Sequence, residues 1–202
     1  NRSTFYVQNE TDYAARDCVD VIKLLIAAKA EVNSRPGISQ APLFLAARTP
    51  HVLATLLRAG ALIDARGVNG QTALIAAVRS NSRKSVEVLL ESKADVNIMD
   101  SNNGTALKYA LIHALKSENI FILWLLVAAG AQAELGYSAD VSPLDRALSS
   151  NRPDIVRVLL DAKADVKKLL EHGMLPLETA IRKNMVGCVR HLVAAGLDLS
   201  QI

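Results

Sequence analysis

The residues of this 202-residue chain best suited to metal binding or nucleophilic catalysis are four histidines and two cysteines. His51, His113, His172 and His191 are each separated from the next by about 20 residues or more. Apart from Cys188 and His191, three residues apart with no third ligand beside them, none has a cysteine or carboxylate at the short spacing that brings two metal ligands onto one helix face or turn. Cys18 and Cys188 stand 170 positions apart, which argues for a reducing compartment rather than a disulfide framework. There is no glycine-rich phosphate loop, no nucleophile elbow and no zincin helix. The expected catalytic set, metal set and cofactor set are therefore all empty, and the two thiols read as small packing residues.

Composition sets wider limits. Half of the residues are apolar and 4% aromatic, enough for a substantial core. The net charge of +3, from 23 basic and 20 acidic residues, argues by itself for neither nucleic acid nor an anionic membrane. No uninterrupted apolar run approaches the length of a membrane span, and no signal peptide opens the chain. The chain does not begin with Met, so a processed or excised piece of a longer protein is expected.

The strongest signal is a period. Helix endings of the type "ESKADVN" (91–97), "AAKAEVN" (27–33) and "DAKADVK" (161–167) align with others on Lys29, Gly60, Lys93, Gly130, Lys163 and Gly196. The spacings are 31, 33, 37, 33 and 33 residues. The left-handed geometry that ends a helix normally selects glycine and costs an L-residue about 1–2 kcal/mol. A lysine there is partly compensated by the negative end of the helix. Upstream lie helix starts such as "TALIAAVR" (72–79), "TALKYALI" (105–112) and "SPLDRALS" (142–149), where a hydroxyl can cap the first amides and Pro is tolerated. Each holds a small residue at one offset, at Ala46, Ala77, Ala110, Ala147 and Ala180, with Ala14 matching in the first unit. Asn81, Asn151 and Asn184 mark the break after the first helix, where αL geometry favours Asn or Gly. A second amphipathic helix follows, as in "DIVRVLLD".

These residues resemble the ankyrin repeat, a β-turn followed by two antiparallel helices with a "T-P-L-H-x-A" start motif. "GQTALIAAVRSNSRKSVEVLLESKADVN" (70–97) is the closest match, and the resemblance runs from residue 11 to 199. It implies an all-α solenoid of stacked helix-turn-helix repeats with β-turn or hairpin fingers, in one domain over 1–202. The units are 1–33 (degenerate, with "NRSTFYVQNE" an irregular edge), 34–64, 65–97, 98–134, 135–167 and 168–202. The chain departs from the family at the start-motif His, which is replaced by Asp12, Phe44, Ile75, Lys108, Asp145 and Glu178. From the Ala after each helix stop to the next start Leu there are always 13 residues, so the fingers should be uniform. All length variation falls between the two helices. The unit at 98–134 is four residues longer than the 33-residue period, about one helical turn, and its first helix should be extended around His113–Lys116. At about 10 Å per stacked unit, Cys18 and Cys188 lie far beyond disulfide distance.

The resemblance also implies a concave binding face built from finger tips and first helices. Carried over, it places Arg16, Arg48 and Arg79 at one helix position and Arg35 and Arg66 at one finger position. Two readings stay open: a solvated basic row, or forked guanidiniums for an acidic partner segment. Val68, Asn69, Met99, Ile112 and His113 form a more apolar patch suited to an anchoring side chain. On the convex side, Phe121 and Trp124 stand where other units carry charge. Either the longer first helix covers them, or they mark a contact with another domain or subunit. Asn33 and Asn97 are similar to asparagines hydroxylated in eukaryotic ankyrin repeats, with structural hydrogen bonding as the favoured role.

The expected function is capture of a partner protein or peptide, acidic in one reading, with no small-molecule substrate and no membrane insertion. The alternative is the targeting or regulatory part of a larger enzyme, secreted effector or channel. A last unit that stays apolar at Leu177, Ala180, Val189, Leu192 and Val193 supports that alternative. Nucleic acid is the least favoured partner, since aromatic interleaving and base-reading motifs are missing. The array should be a monomer or a segment of a longer chain. Its compartment should be cytoplasmic or otherwise reducing, which would be the host cytosol for a secreted effector.

Overall fold

The computed structural model describes residues 19–33, 41–117, 119–137, 142–167 and 175–197. Arg16, Cys18, Arg35, His172 and the N-terminal edge lie outside them. The chain forms two compact units, residues 1–95 and 96–202. Every regular element among the described residues is a helix, and no strand occurs there.

In the first unit, α1 covers 19–27, α2 covers Pro42–Leu45 and continues as a 3₁₀ turn over Ala46–Arg48, and α3 covers Pro50–Arg58. Helices α4 (Ala73–Arg79) and α5 (Arg83–Glu91) complete it. The second unit pairs α6 (Ala106–Lys116) with α7 (Phe121–Ala128), α8 (Pro143–Ser149) with α9 (Pro153–Asp161), and α10 (Leu175–Arg182) with α11 (Val186–Ala194). Within each unit first helices pack on first helices and second on second, as α3 on α5 and α9 on α11. The small residue at the fixed offset is buried in all five described helix pairs, at Ala46, Ala77, Ala110, Ala147 and Ala180. A methyl there lets the neighbouring helices approach closely enough to close the core.

The helix starts follow from their sequence. Thr72 Oγ accepts from Ile75 N (3.3 Å) and Thr105 Oγ from Lys108 N (3.1 Å). Ser142 accepts from Leu144 N while Asp145 accepts from Ser142 N, both at 3.1 Å, a reciprocal capping box. Ala41 has no capping side chain, and Pro42 starts α2 instead.

The stops are equally regular. Lys29, Lys93 and Lys163 have φ of 62°, 68° and 57°, and Gly60, Gly130 and Gly196 lie between 86° and 90°. At Lys93 the backbone closes as a Schellman pair, Lys93 N to Leu90 O and Ala94 N to Leu89 O, both 3.0 Å. The same pair closes at each glycine, so the lysines bear left-handed strain in an unchanged turn. Asn81, Asn151 and Asn184 are left-handed as well, at 54°, 49° and 54°.

Length variation falls where the spacing placed it. Helix α6 has 11 residues against seven in α4 and α8, so the four extra residues form one additional turn. The short unit loses its residues from the bend: Thr49 alone separates the 3₁₀ turn from α3, where Ser80–Ser82 separate α4 from α5. Two described fingers share a closure, Gly67 N to Gln71 O (2.7 Å) and Asp100 N to Gly104 O (3.0 Å). They differ at the tip, where Asn69 and Gly70 are left-handed in one and Asn103 in the other.

The longer α6 ends without a left-handed stop, since Ser117 is extended (φ −138°). Its final carbonyls are met by side chains. Arg152 Nη1 donates to Ala114 O (2.7 Å) and Ser117 O (2.9 Å), and Ser117 Oγ donates to His113 O (3.1 Å). Asp154 holds the same guanidinium through Nε (2.9 Å) and Nη2 (2.6 Å). The hydrogen bond from Arg152 lowers the Asp154 pKa, with burial opposing it. A carboxyl with a lowered folded pKa adds stability above its unfolded pKa, and loses it as pH falls through the folded one. Arg152→Met should cost about 1–2 kcal/mol at neutral pH, discounted because Asp154 is partly exposed. The deficit against the parent chain should narrow below about pH 4 and not vanish, since the carbonyl bonds do not titrate. Urea unfolding across pH checks this, and a pH-independent deficit would remove the carboxylate from the explanation.

Candidate functional site

In the first unit Arg48 ends the 3₁₀ turn after α2 and Arg79 ends α4, 31 residues later at the same position. Arg66 stands on the finger between α3 and α4, where its Nη1 donates to Gly70 O at 3.0 Å. All three side chains are exposed, as are Val68 and Asn69 at the finger tip. The unit therefore brings two helix-end guanidiniums and one finger guanidinium to its surface beside a small apolar tip.

That finger is set in place by a residue the start motif made conspicuous. A Cβ on Gly67 would stand 2.4 Å from the Phe44 ring, so the ring of α2 packs flat on the finger where only glycine fits. Phe44 occupies the position at which the family carries His. Lys108 occupies it in the second unit and also reaches the following finger. Its Nζ donates to Gly136 O at 2.5 Å and lies 5.1 Å from the centre of the Tyr137 ring. Burial raises the Tyr137 pKa, against a smaller lowering by Arg146, so the phenol stays protonated. The motif departure is thus replaced at Phe44 and Lys108 by other contacts with the next finger.

The second unit carries the rest of the expected patch. Met99 is exposed, whereas Ile112 and His113, where the extra turn of α6 begins, are half-buried. Beside Met99, the buried Asp100 accepts from Asn102 N (2.9 Å), Gly104 N (2.8 Å) and Tyr109 Oη (2.7 Å). Three donors on one carboxylate make this finger rigid, a role sequence reasoning missed, although the Asp four residues before a Gly hinted at an Asx turn.

Asn33 and Asn97 join neighbouring repeats. Asn33 Nδ2 donates to Gly60 O (3.0 Å) and its Oδ1 accepts from Leu62 N (2.8 Å). Asn97 does the same with Gly130 O (3.3 Å) and Gln132 N (2.9 Å). Both amide ends are used for hydrogen bonding. Cys188 is fully buried, and burial raises its thiol pKa, so it is a packing residue. Among the described residues no three His, Cys, Asp or Glu side chains could hold a metal ion. No helix among them is long and apolar enough to cross a membrane.

Phe121 and Trp124 lie on α7, with ring centroids 6.4 Å apart at an interplanar angle of 40°. The extra turn of α6 does not cover them: Trp124 is 53% exposed and Phe121 half-buried. Helix α7, "FILWLLVA", has no charged residue, unlike α5, α9 and α11, and so lacks a polar face. Trp124 is the sole tryptophan. Its emission should therefore lie near that of solvated indole and be quenched readily by acrylamide. A blue-shifted, quencher-resistant band would show it covered.

The family profile described as ankyrin repeats (3 copies) matches residues 12–100 and again 111–202. The mouse B-cell lymphoma 3 protein homolog is 28% identical over 188 residues, 90% of this chain and 41% of that protein. A fowlpox virus putative ankyrin repeat protein is 29% identical over 72% of this chain and 44% of its own length. The chain thus spans about two fifths of these relatives. Among solved structures, the Bcl-3 ankyrin repeat domain superposes with a TM-score of 0.69 at 29% identity, covering 92% of this chain and 83% of that one. An Acinetobacter baumannii ankyrin repeat domain gives 0.72 at 24% identity, covering 92% and 96%, a likeness of fold. The repeated helix pairs, their left-handed stops and these matches converge: the chain belongs to the ankyrin repeat family, whose members are protein-interaction modules.

Proposed function

We propose that the chain captures a partner protein or peptide on the surface formed by its fingers and the exposed ends of its first helices. The N-terminal unit selects an acidic segment. One observation carries this reading: Arg48, Arg66 and Arg79 are all exposed on one unit, beside Val68 and Asn69. Planar guanidiniums on rigid supports suit bidentate carboxylate recognition, and an apolar finger tip suits one anchoring side chain. Met99, with the half-buried Ile112 and His113, provides an apolar contact on the second unit.

A second reading is supported by the length of the relatives. Proteins that match most of this chain are more than twice as long as the matched part. The array then acts as the recognition or regulatory segment of a longer polypeptide, and the same surface does the recognising.

Binding to an array of Glu- and Asp-rich peptides, followed by anisotropy on the hits, tests the site. Arg48→Glu with Arg79→Glu should weaken the hits at least about tenfold, a loss on the order of 1.4 kcal/mol, and more at low salt. Equal affinity in parent and variant would dismiss the arginine surface.

A further inference from the structure

We propose that Asn69 is a self-modification site: the backbone nitrogen of Gly70 closes on the Asn69 side chain, and the exposed finger of the first unit slowly acquires an aspartyl or isoaspartyl residue. Two Asn-Gly pairs occur in the chain, Asn69–Gly70 and Asn103–Gly104, each on a finger with its asparagine exposed. Glycine has no side chain to shield its nitrogen from the asparagine carbonyl carbon. The sequence offers two equal candidates, and the backbone separates them.

Residues 68–71 form a type I′ turn. Asn69 has φ 54° and ψ 28°, Gly70 has φ 69°, and Gln71 N donates to Val68 O at 3.1 Å. At this ψ the Gly70 nitrogen stands anti to the Asn69 Cβ and cannot reach Cγ. Rotating the 69–70 peptide converts the turn to type II′, with Asn69 ψ about −120° and Gly70 at negative φ. That ψ brings the Gly70 nitrogen level with Cβ, as closure of a succinimide ring requires, and it keeps the bond from Gln71 to Val68. What the rotation gives up is the bond from Gly70 N to Gly67 O, long at 3.2 Å. The other finger is locked. Gly104 is buried, and its N–H donates at 2.8 Å to the Asp100 carboxylate that also holds Asn102 N and Tyr109 Oη. Rotating the 103–104 peptide would break a bond to a buried charge, a larger loss than a long bond between neutral groups.

Gly70 N gives its proton to hydroxide and attacks Asn69 Cγ. The Cγ–Nδ2 bond breaks, and ammonia leaves with a proton taken from water. Water then opens the succinimide, at Cγ to give aspartate or at the main-chain carbonyl to give isoaspartate. Either product carries a new negative charge. Arg66 Nη1 donates to Gly70 O at 3.0 Å, so that charge forms beside the finger guanidinium. With an acidic partner, the reading on which this last consequence rests, the modified finger repels the segment that the parent finger attracts.

Incubation of the 202-residue chain at mildly alkaline pH, folded and in urea, tests the site by peptide mass spectrometry and an isoaspartate-specific methyl-transfer assay. In urea the two Asn-Gly pairs should react at similar rates. In the folded chain Asn69 should react at least about tenfold faster than Asn103, with isoaspartate among its products. Equal rates in the folded chain, faster reaction at Asn103, or aspartate without isoaspartate overturns the proposal. Asn69→Asp should weaken the acidic hits of the parent chain. Unchanged affinity in Asn69→Asp, with Asn69 of the parent still converting, would overturn the effect on binding and leave the modification site standing.

Discussion

Each repeat depends on a hydrogen bond made by its neighbour. A helix pair of this size cannot bury its own apolar face, so its stability comes from stacking, and stacking has to be held in one register. One position sets it. Asn33, Asp64, Asn97 and Glu134 are equivalent residues, and their side chains accept from the backbone N–H of Leu62, Asp95, Gln132 and Asp165, at 2.8–3.2 Å. Each donor amide follows the alanine after a helix stop. A polar atom from one repeat thus satisfies the backbone of the next where the chain leaves its second helix. These bonds are solvent-exposed, so each contributes about 0.5–1.5 kcal/mol, repeated from junction to junction.

The chemistry at this position differs between junctions. Asn33 and Asn97 stand opposite Gly60 and Gly130, where their Nδ2 donates to Gly60 O or Gly130 O, whereas Lys167 holds that position before Gly196. A carboxylate stands one repeat before two of the lysine stops, Asp64 before Lys93 and Glu134 before Lys163. A carboxylate has no proton to give a carbonyl, so at these junctions a single bond to the amide remains. Lysine in a left-handed turn costs more than glycine, and the negative end of the helix offsets part of that cost. Fingers held by these junctions are the supports on which Arg66 and Met99 stand, so binding geometry and stacking share one set of bonds.

Legibility in the sequence follows the range of the interaction. Local geometry repeats with the period and could be read directly. The left-handed Lys93 and Asn81, the hydroxyl caps and the added turn of α6 are each decided by a few consecutive residues. Contacts between residues about 23 to 38 apart were not legible. The Arg152 clamp on α6, the Phe44 ring on Gly67 and the Lys108 reach to Gly136 depend on where the next repeat lies. Trp124 shows the same limit: covering by the longer α6 and exposure on α7 fit the sequence equally well. Asn33 and Asn97 lay between, because their type suggested hydrogen bonding while their partners came only with the stack. The arginine surface was readable as a pattern, but the binding of an acidic ligand is a chemical property that only a binding measurement establishes.

Amide hydrogen exchange at Gln132 tests the junction most directly. The account predicts a Gln132 amide protected well above its intrinsic rate in the parent chain. In Asn97→Ala it should lose most of that protection, while the amides inside α7, such as Leu126, keep theirs. A Gln132 amide that exchanges freely in the parent, or is equally protected without the Asn97 side chain, would contradict the claim that this bond sets the register.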